Sequence, residues 1–225
     1  MITEYSETVP VQYEEGKASF MGMDIKVDSR VFIPRPETEL LVEKTAYFLK
    51  AAGKTGPSVL DLCTGSGVIA LALSKLVENV KVTASDISED ALVVARDNFL
   101  THNGKADVTF IVSDMFSAFG EGGIFDCIVS NPPYVSRRDY EKLDPWVKAE
   151  PKQALYSGDE GLDHLAALTE HGLKYLSDGG FMAVEIGYDQ AEKVKGMFKT
   201  AGFKNITSFE DFNKFERVII GWKNG

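Results

Sequence analysis

The sequence predicts an α/β fold, a mostly parallel sheet with helices on both faces. From residue 58 to residue 200, short apolar runs of strand length alternate with longer runs of helical character, the pattern of βα units rather than of hairpins. The strand runs, Cys127-Ile128-Val129 among them, are too continuously apolar for a strand with one wet face. Two final strands at 203–209 and 215–222 have no helix between them, so the last of the seven strands is expected to be antiparallel.

In chain order, the first fifteen residues hold four glutamates and no basic residue, and read as a mobile start. Residues 11–27 alternate in short stretches around Gly16-Lys17 and Met21-Gly22-Met23, which suits an N-terminal β-hairpin. A helix is expected at 36–49, because Pro36 fits a first helical turn and Glu37 and Glu39 suit its positive end. Strands are expected at 58–62, 80–85, 108–112, 124–129 and 180–186. Helices are expected at 66–77, 88–102, 161–176 and 191–200, with Ser88 as a cap.

A 225-residue chain with 44% hydrophobic and 26% charged residues can bury a full core without staples, as ordinary soluble globular proteins do. Its net charge of −10 opposes tight binding to phosphate backbones, which needs clustered Lys and Arg. Nucleic acid is therefore not the expected direct substrate, and a protein is the easier fit. Residues 131–153 are the local exception, with five basic residues against four acids, and read as a solvated mixed-charge loop. Cys63 and Cys127 form no spaced pair and read as reduced core residues. His102, His164 and His171 lack metal-ligand spacing, so no metal is expected. With no signal-like start and no run of bilayer length, a cytoplasmic location and no membrane partner are expected.

Two motifs carry chemistry. In Asp61-Leu62-Cys63-Thr64-Gly65-Ser66-Gly67, the glycines allow a tight turn and a close approach of backbone to a ligand at a helix amino end. Gly65-x-Gly67-x-x-Ala70, with Asp86 nineteen residues after Gly67, also matches the dinucleotide fingerprint. On glycines alone, a nicotinamide cofactor and S-adenosylmethionine both stay open, beside a purely structural turn. Asp86 and Asp114, each just past a strand, are also placed to cap following helices.

The second motif, Asn131-Pro132-Pro133-Tyr134, leaves the fourth strand. Two prolines forbid helix continuation and ladder donation, so the chain exits the sheet in a fixed extended shape. Asn131 brings a side-chain carbonyl, the prolines bring carbonyls with no competing N–H, and Tyr134 brings an aromatic face. Together they are acceptors for an NH2 group beside a stacking surface. The bland alternative is a proline-stiffened turn.

These two motifs stand among further runs: Val31-Phe32-Ile33-Pro34-Arg35-Pro36-Glu37-Thr38-Glu39, Glu150-Pro151-Lys152-Gln153-Ala154-Leu155, Gly158-Asp159-Glu160-Gly161-Leu162 and Glu185-Ile186-Gly187-Tyr188-Asp189-Gln190. In that order and spacing the chain resembles the HemK-type protein glutamine methyltransferases over residues 10–220, and within them the release factor-modifying branch. The resemblance implies a class I (Rossmann-like) S-adenosylmethionine-dependent methyltransferase fold, with an extension at 1–35 carrying the hairpin and a methyltransferase domain at 36–225. It implies S-adenosyl-L-methionine as methyl donor and S-adenosyl-L-homocysteine as product. Asp61 would sit near the amino group of the methionine moiety, with Cys63, Thr64, Gly65 and Gly67 forming the loop beneath. Asp86 with Ile87 would serve the ribose, and Asp114 with Met115 the adenine. Asn131 would border both ligands.

The resemblance further implies methylation of the Gly-Gly-Gln glutamine of a peptide chain release factor. The Asn131 side-chain oxygen and the Pro132 carbonyl would accept the two amide hydrogens, and Tyr134 would pack on the planar amide, with Pro133 completing the site. Arg35 has two readings: a group that closes the site or holds the substrate backbone, or a solvated linker charge. Another protein glutamine, an exocyclic amine of RNA or DNA, a silent cofactor-binding module and a dehydrogenase are the competing functions. Two departures from the family are expected, namely no room for its helical amino-terminal domain and Tyr156-Ser157-Gly158 in place of a more glycine-rich turn.

Overall fold

The computed structural model describes residues 8–102, 107–120, 122 and 124–225. It opens with a short helix, α1 (Val11–Glu15), closed by Gly16 at a left-handed φ of 70°. The strands β1 (Lys17–Phe20) and β2 (Met23–Lys26) then pair antiparallel around Met21-Gly22, as the hairpin expectation requires. The helix corrects the reading of the first fifteen residues as mobile, of which 1–7 lie outside the described residues. Tyr13 explains the difference: its ring packs on the core and its hydroxyl donates to the Val31 carbonyl at 2.5 Å, anchoring an otherwise polar segment.

The elements that follow are α2 (Pro36–Ala51), β3 (Ser58–Leu62), α3 (Val68–Leu76), β4 (Lys81–Asp86), α4 (Glu89–Thr101), β5 (Asp107–Val112) and β6 (Phe125–Ser130). Next come three short helices, α5 (Arg137–Lys142), α6 (Pro145–Lys148) and α7 (Lys152–Leu155). The chain ends with α8 (Asp163–Gly172), β7 (Leu176–Glu185), α9 (Ala191–Ala201), β8 (Lys204–Glu210) and β9 (Glu216–Trp222). Among the described residues the main sheet runs β5-β4-β3-β6-β7-β9-β8, with β9 antiparallel to both neighbours and the other pairings parallel.

Period-two alternation divides each central strand between two cores. Val59, Cys127, Val129, Phe181, Ala183, Val218 and Ile220 face the core that buries α2, α3, α4 and the hairpin. Leu60, Leu62, Ile128, Met182, Val184 and Ile219 face the core under α8 and α9. The hairpin's Phe20, Ile25 and Val27 join the first core, so hairpin and sheet share one hydrophobic interior.

Most element boundaries fall within one or two residues of expectation, and the larger differences have physical causes. Helix α8 stops at Gly172 and β7 begins at Leu176, because Leu176 pairs with Phe125 before the register shifts to Phe181 with Cys127. The looped residues include Gly179 at φ 75°. Ile124 stays half exposed, so the apolar face of β6 starts one residue later. Residues 131–153 are not a loop throughout but carry α5, α6 and the start of α7, each too short to leave a periodic signal. Among the described residues, no helix is long and apolar enough to cross a membrane.

Candidate functional site

Strand order reverses between β3 and β6: β3 continues to β4 on one side, while β6 lies on the other. Such a switch point opens a crevice at the strands' carboxyl ends. Leu62 and Ser130 are the last paired residues, tied by a hydrogen bond from Ser130 Oγ to the Leu62 carbonyl at 2.8 Å. Beyond them the glycine loop and the Asn-Pro-Pro-Tyr segment part around a cavity of about 340 Å³. Its wall brings together Cys63, Thr64, Asp86, Ile87, Asp114 and Met115 with Arg35, Asn131, Pro132, Pro133 and Tyr134. Asp61, Gly65 and Gly67 are not in that wall.

Asp61 is fully buried beneath the loop. Its Oδ2 accepts from Thr64 Oγ1 at 2.6 Å and from the Ala70 N–H at 3.1 Å, fixing the turn into α3, while Oδ1 has no partner among the described residues. Desolvation pushes this carboxyl up to about 7, against the two hydrogen bonds it accepts. Gly67 precedes α3 at φ 80°, where an added Cβ would meet the Ala95 Cβ at 2.9 Å, so a side chain there would push α4 away. Gly65 donates its N–H to Asp86 Oδ2 at 2.9 Å, and Asp86 Oδ1 accepts from the Ser88 N–H at 2.9 Å. Burial raises the Asp86 carboxyl.

Neither Asp86 nor Asp114 caps a helix. Ser88 caps α4 by accepting from the Ala91 N–H, and Asp114 is exposed at the head of a turn, its carbonyl accepting from the Ser117 N–H. Of the two cysteines expected in the core, only Cys127 is there. Cys63 stands in the cavity wall at a left-handed φ of 59°, because the chain must turn sharply between β3 and the glycines. Burial pushes its thiol up, which disfavours the thiolate.

Pro132 and Pro133 are buried, and the segment is clamped from behind. Gln190 Nε2 donates to the carbonyls of Tyr134 and Gly161, both at 3.0 Å, while its Oε1 accepts from the Gly187 N–H. Val135 exchanges backbone hydrogen bonds with Leu155 and Ser157. Asn131 Nδ2 donates to Thr38 Oγ1 at 3.1 Å.

Residues 28–35 form a strap along the cavity. The Ile33 N–H donates to Glu150 Oε2 at 2.9 Å, and the Arg35 guanidinium pairs with Glu150 Oε1 while lying 4.5 Å above the Phe32 ring. Arg35 is thus no solvated linker charge: Glu150, buried between α6 and α7, holds it in the wall. At the other flank Asn98 joins hairpin to glycine loop, accepting from the Lys26 N–H and donating to the carbonyls of Lys26 and Ser66. Replacing Asn98 by Ala leaves the buried Ser66 carbonyl and two part-buried backbone groups of Lys26 without these partners. Urea unfolding is expected to show a loss of about 2–3 kcal/mol.

Thr38, Glu150, Gly161, Glu185 and Gln190 escaped sequence reasoning as individual residues. All five lie inside the runs that carried the resemblance, which was the available signal.

The Methyltransferase small domain family matches residues 37–155. The release factor glutamine methyltransferase of Thermodesulfovibrio yellowstonii is 42% identical over 212 residues, 94% of this chain and 75% of that protein. The release factor glutamine methyltransferase of Streptococcus pneumoniae is 44% identical over 94% of this chain and 74% of its own length. A solved release factor-specific protein-(glutamine-N5) methyltransferase from Alicyclobacillus acidocaldarius superposes with a TM-score of 0.53 at 27% identity, covering 86% of this chain and 95% of that one.

Proposed function

The chain belongs to the release factor glutamine methyltransferases, and from that premise we propose that it moves a methyl group from S-adenosyl-L-methionine to the side-chain amide nitrogen of a release factor's Gly-Gly-Gln glutamine. The observation that carries this reading is the meeting of Asn131, Pro132 and Tyr134 with the glycine loop in one cavity at the switch point.

The cavity suits that donor. Asp86 and Asp114 offer carboxylates to hydroxyl and amino hydrogens, open space lies where a Cβ on Gly65 would project, and about 340 Å³ is ligand-sized. Asp86 and Ile87 would hold the ribose and Asp114 and Met115 the base, with Cys63 and Thr64 below. Asp61 acts through the loop, whose shape its carboxyl sets. When bound, S-adenosyl-L-methionine supplies an electrophilic methyl group on a cationic sulfur.

An amide nitrogen is a poor nucleophile because its lone pair is delocalised into the carbonyl. Asn131 Oδ1 and the Pro132 carbonyl accept its two hydrogens, and Tyr134 packs on the amide plane. Fixed acceptors both aim the nitrogen and favour the charge it gains, in a pocket screened from water. The Arg35–Glu150 pair holds the strap that forms the opposite wall. The amide proton becomes acidic once nitrogen is alkylated and leaves to solvent, so no strong base is needed.

The test is incubation with methyl-labelled donor and purified release factor. Label is expected on the wild-type factor and not on one whose loop glutamine is replaced. No label with the donor bound, or equal label on both factors, overturns the assignment.

A further inference from the structure

Glu185, the last residue of β7, is almost fully buried beside Asn131: Ser130 pairs with Val184, so the two residues leave adjacent strands together. Glu185 Oε2 accepts from Thr38 Oγ1 at 2.7 Å, and Oε1 accepts from the Tyr134 hydroxyl at 3.3 Å. Thr38 Oγ1 in turn accepts from Asn131 Nδ2. A hydroxyl carries one proton. With Glu185 ionised, that proton is committed to the carboxylate, so Thr38 shows Asn131 only lone pairs. Only the NH2 end of the Asn131 amide can then face Thr38.

We propose that Glu185 and Thr38 are positioning residues that orient the Asn131 amide with its oxygen toward the substrate, and that protonation of Glu185 permits the reverse orientation. In the reversed chain Glu185 donates to Thr38, Thr38 donates to Asn131 Oδ1, and the Asn131 NH2 meets the substrate NH2 donor to donor. The inference rests on the reading of Asn131 as the acceptor of a substrate amide hydrogen.

The groups facing Glu185 are Thr38 and Glu37 on α2, Tyr134 beyond β6, and Arg217 on β9. Desolvation pushes its carboxyl up to about 7, opposed by the two hydroxyl donors and Arg217, with Glu37 adding slightly. Turnover is therefore expected to fall as pH drops through that value. Asp61 titrates at a similar pH, so variants must assign the limb.

Thr38→Val removes the relay at nearly constant shape and is expected to lower kcat roughly 10- to 100-fold with donor affinity unchanged. Thr38→Ser, which keeps the hydroxyl, is expected to restore it. The acid limb of kcat should be present in wild type and Thr38→Ser and absent in Thr38→Val. A limb that survives undiminished in Thr38→Val arises from Asp61 or another group and overturns the relay. Independently of any substrate, the Asn131 side-chain NH2 signals in nitrogen-15 spectra, assigned by their loss in Asn131→Ala, should move with pH around neutrality in wild type. A static pair of signals overturns the relay even if release factor is methylated. A moving pair in an enzyme inactive on release factor supports the relay and counts against the substrate alone.

Discussion

Alanine at position 131 is expected to slow methyl transfer by roughly 30- to 1,000-fold, about 2 to 4 kcal/mol of transition-state stabilisation, while donor affinity changes little. The expectation follows from where Asn131 stands. Its Nδ2 is occupied by Thr38, and it borders the cavity between the glycine loop and Tyr134. Alanine removes one of two acceptors for the amide hydrogens but touches neither Asp86 nor the Gly65 turn that Asp86 braces. Single-turnover transfer and calorimetric titration of the donor separate the two quantities. Equal losses in binding and turnover would move Asn131 from the acceptor set to the donor's own site.

The second large effect is expected at Gly161. Its φ is 73°, and a Cβ there would fall 2.3 Å from the Tyr134 carbonyl and 2.9 Å from the Ser136 nitrogen. Both of those are backbone atoms of the segment that positions the substrate amide, so no side-chain rotation relieves the clash. Gly161→Ala combines left-handed strain with overpacking and is expected to lose about 2 to 4 kcal/mol of stability. Turnover should fall further than stability explains, because Tyr134 must shift. Gly196 is the internal control: it is exposed within α9 with open space around its Cβ position, and alanine there is expected to add about 0.5 to 1 kcal/mol. Urea midpoints at constant m-value read both changes. A neutral Gly161→Ala would mean that the Tyr134 segment yields easily, contrary to its clamping by Gln190.

The sheet was legible because its physics is local. Runs such as 127–129 and 181–184 are apolar at every position because successive side chains enter opposite cores, and glycines or prolines mark the ends of β3 and β6. The two signature segments were legible for the same reason, since their backbone restrictions are written in the residues themselves. What stayed hidden depends on partners far along the chain. The relay joins Thr38 to Glu185 across 147 residues, and Glu150 meets Arg35 across 115. No pattern within one segment encodes either pairing. Asp61 shows the same limit: its position at the end of β3 was readable, but not that its carboxyl turns inward to Thr64 and Ala70 rather than into the cavity. The helices α5, α6 and α7 are four to six residues each, one to two turns, too few repeats of the helical period to reveal them.

The most direct measurement of the central claim is peptide mapping by tandem mass spectrometry of release factor after reaction with the enzyme and S-adenosyl-L-methionine. The acceptor set at Asn131 and Pro132 predicts a single methyl group on the side chain of the loop glutamine. A methyl group on any other residue, or on none while the donor is consumed against a different acceptor, would contradict it.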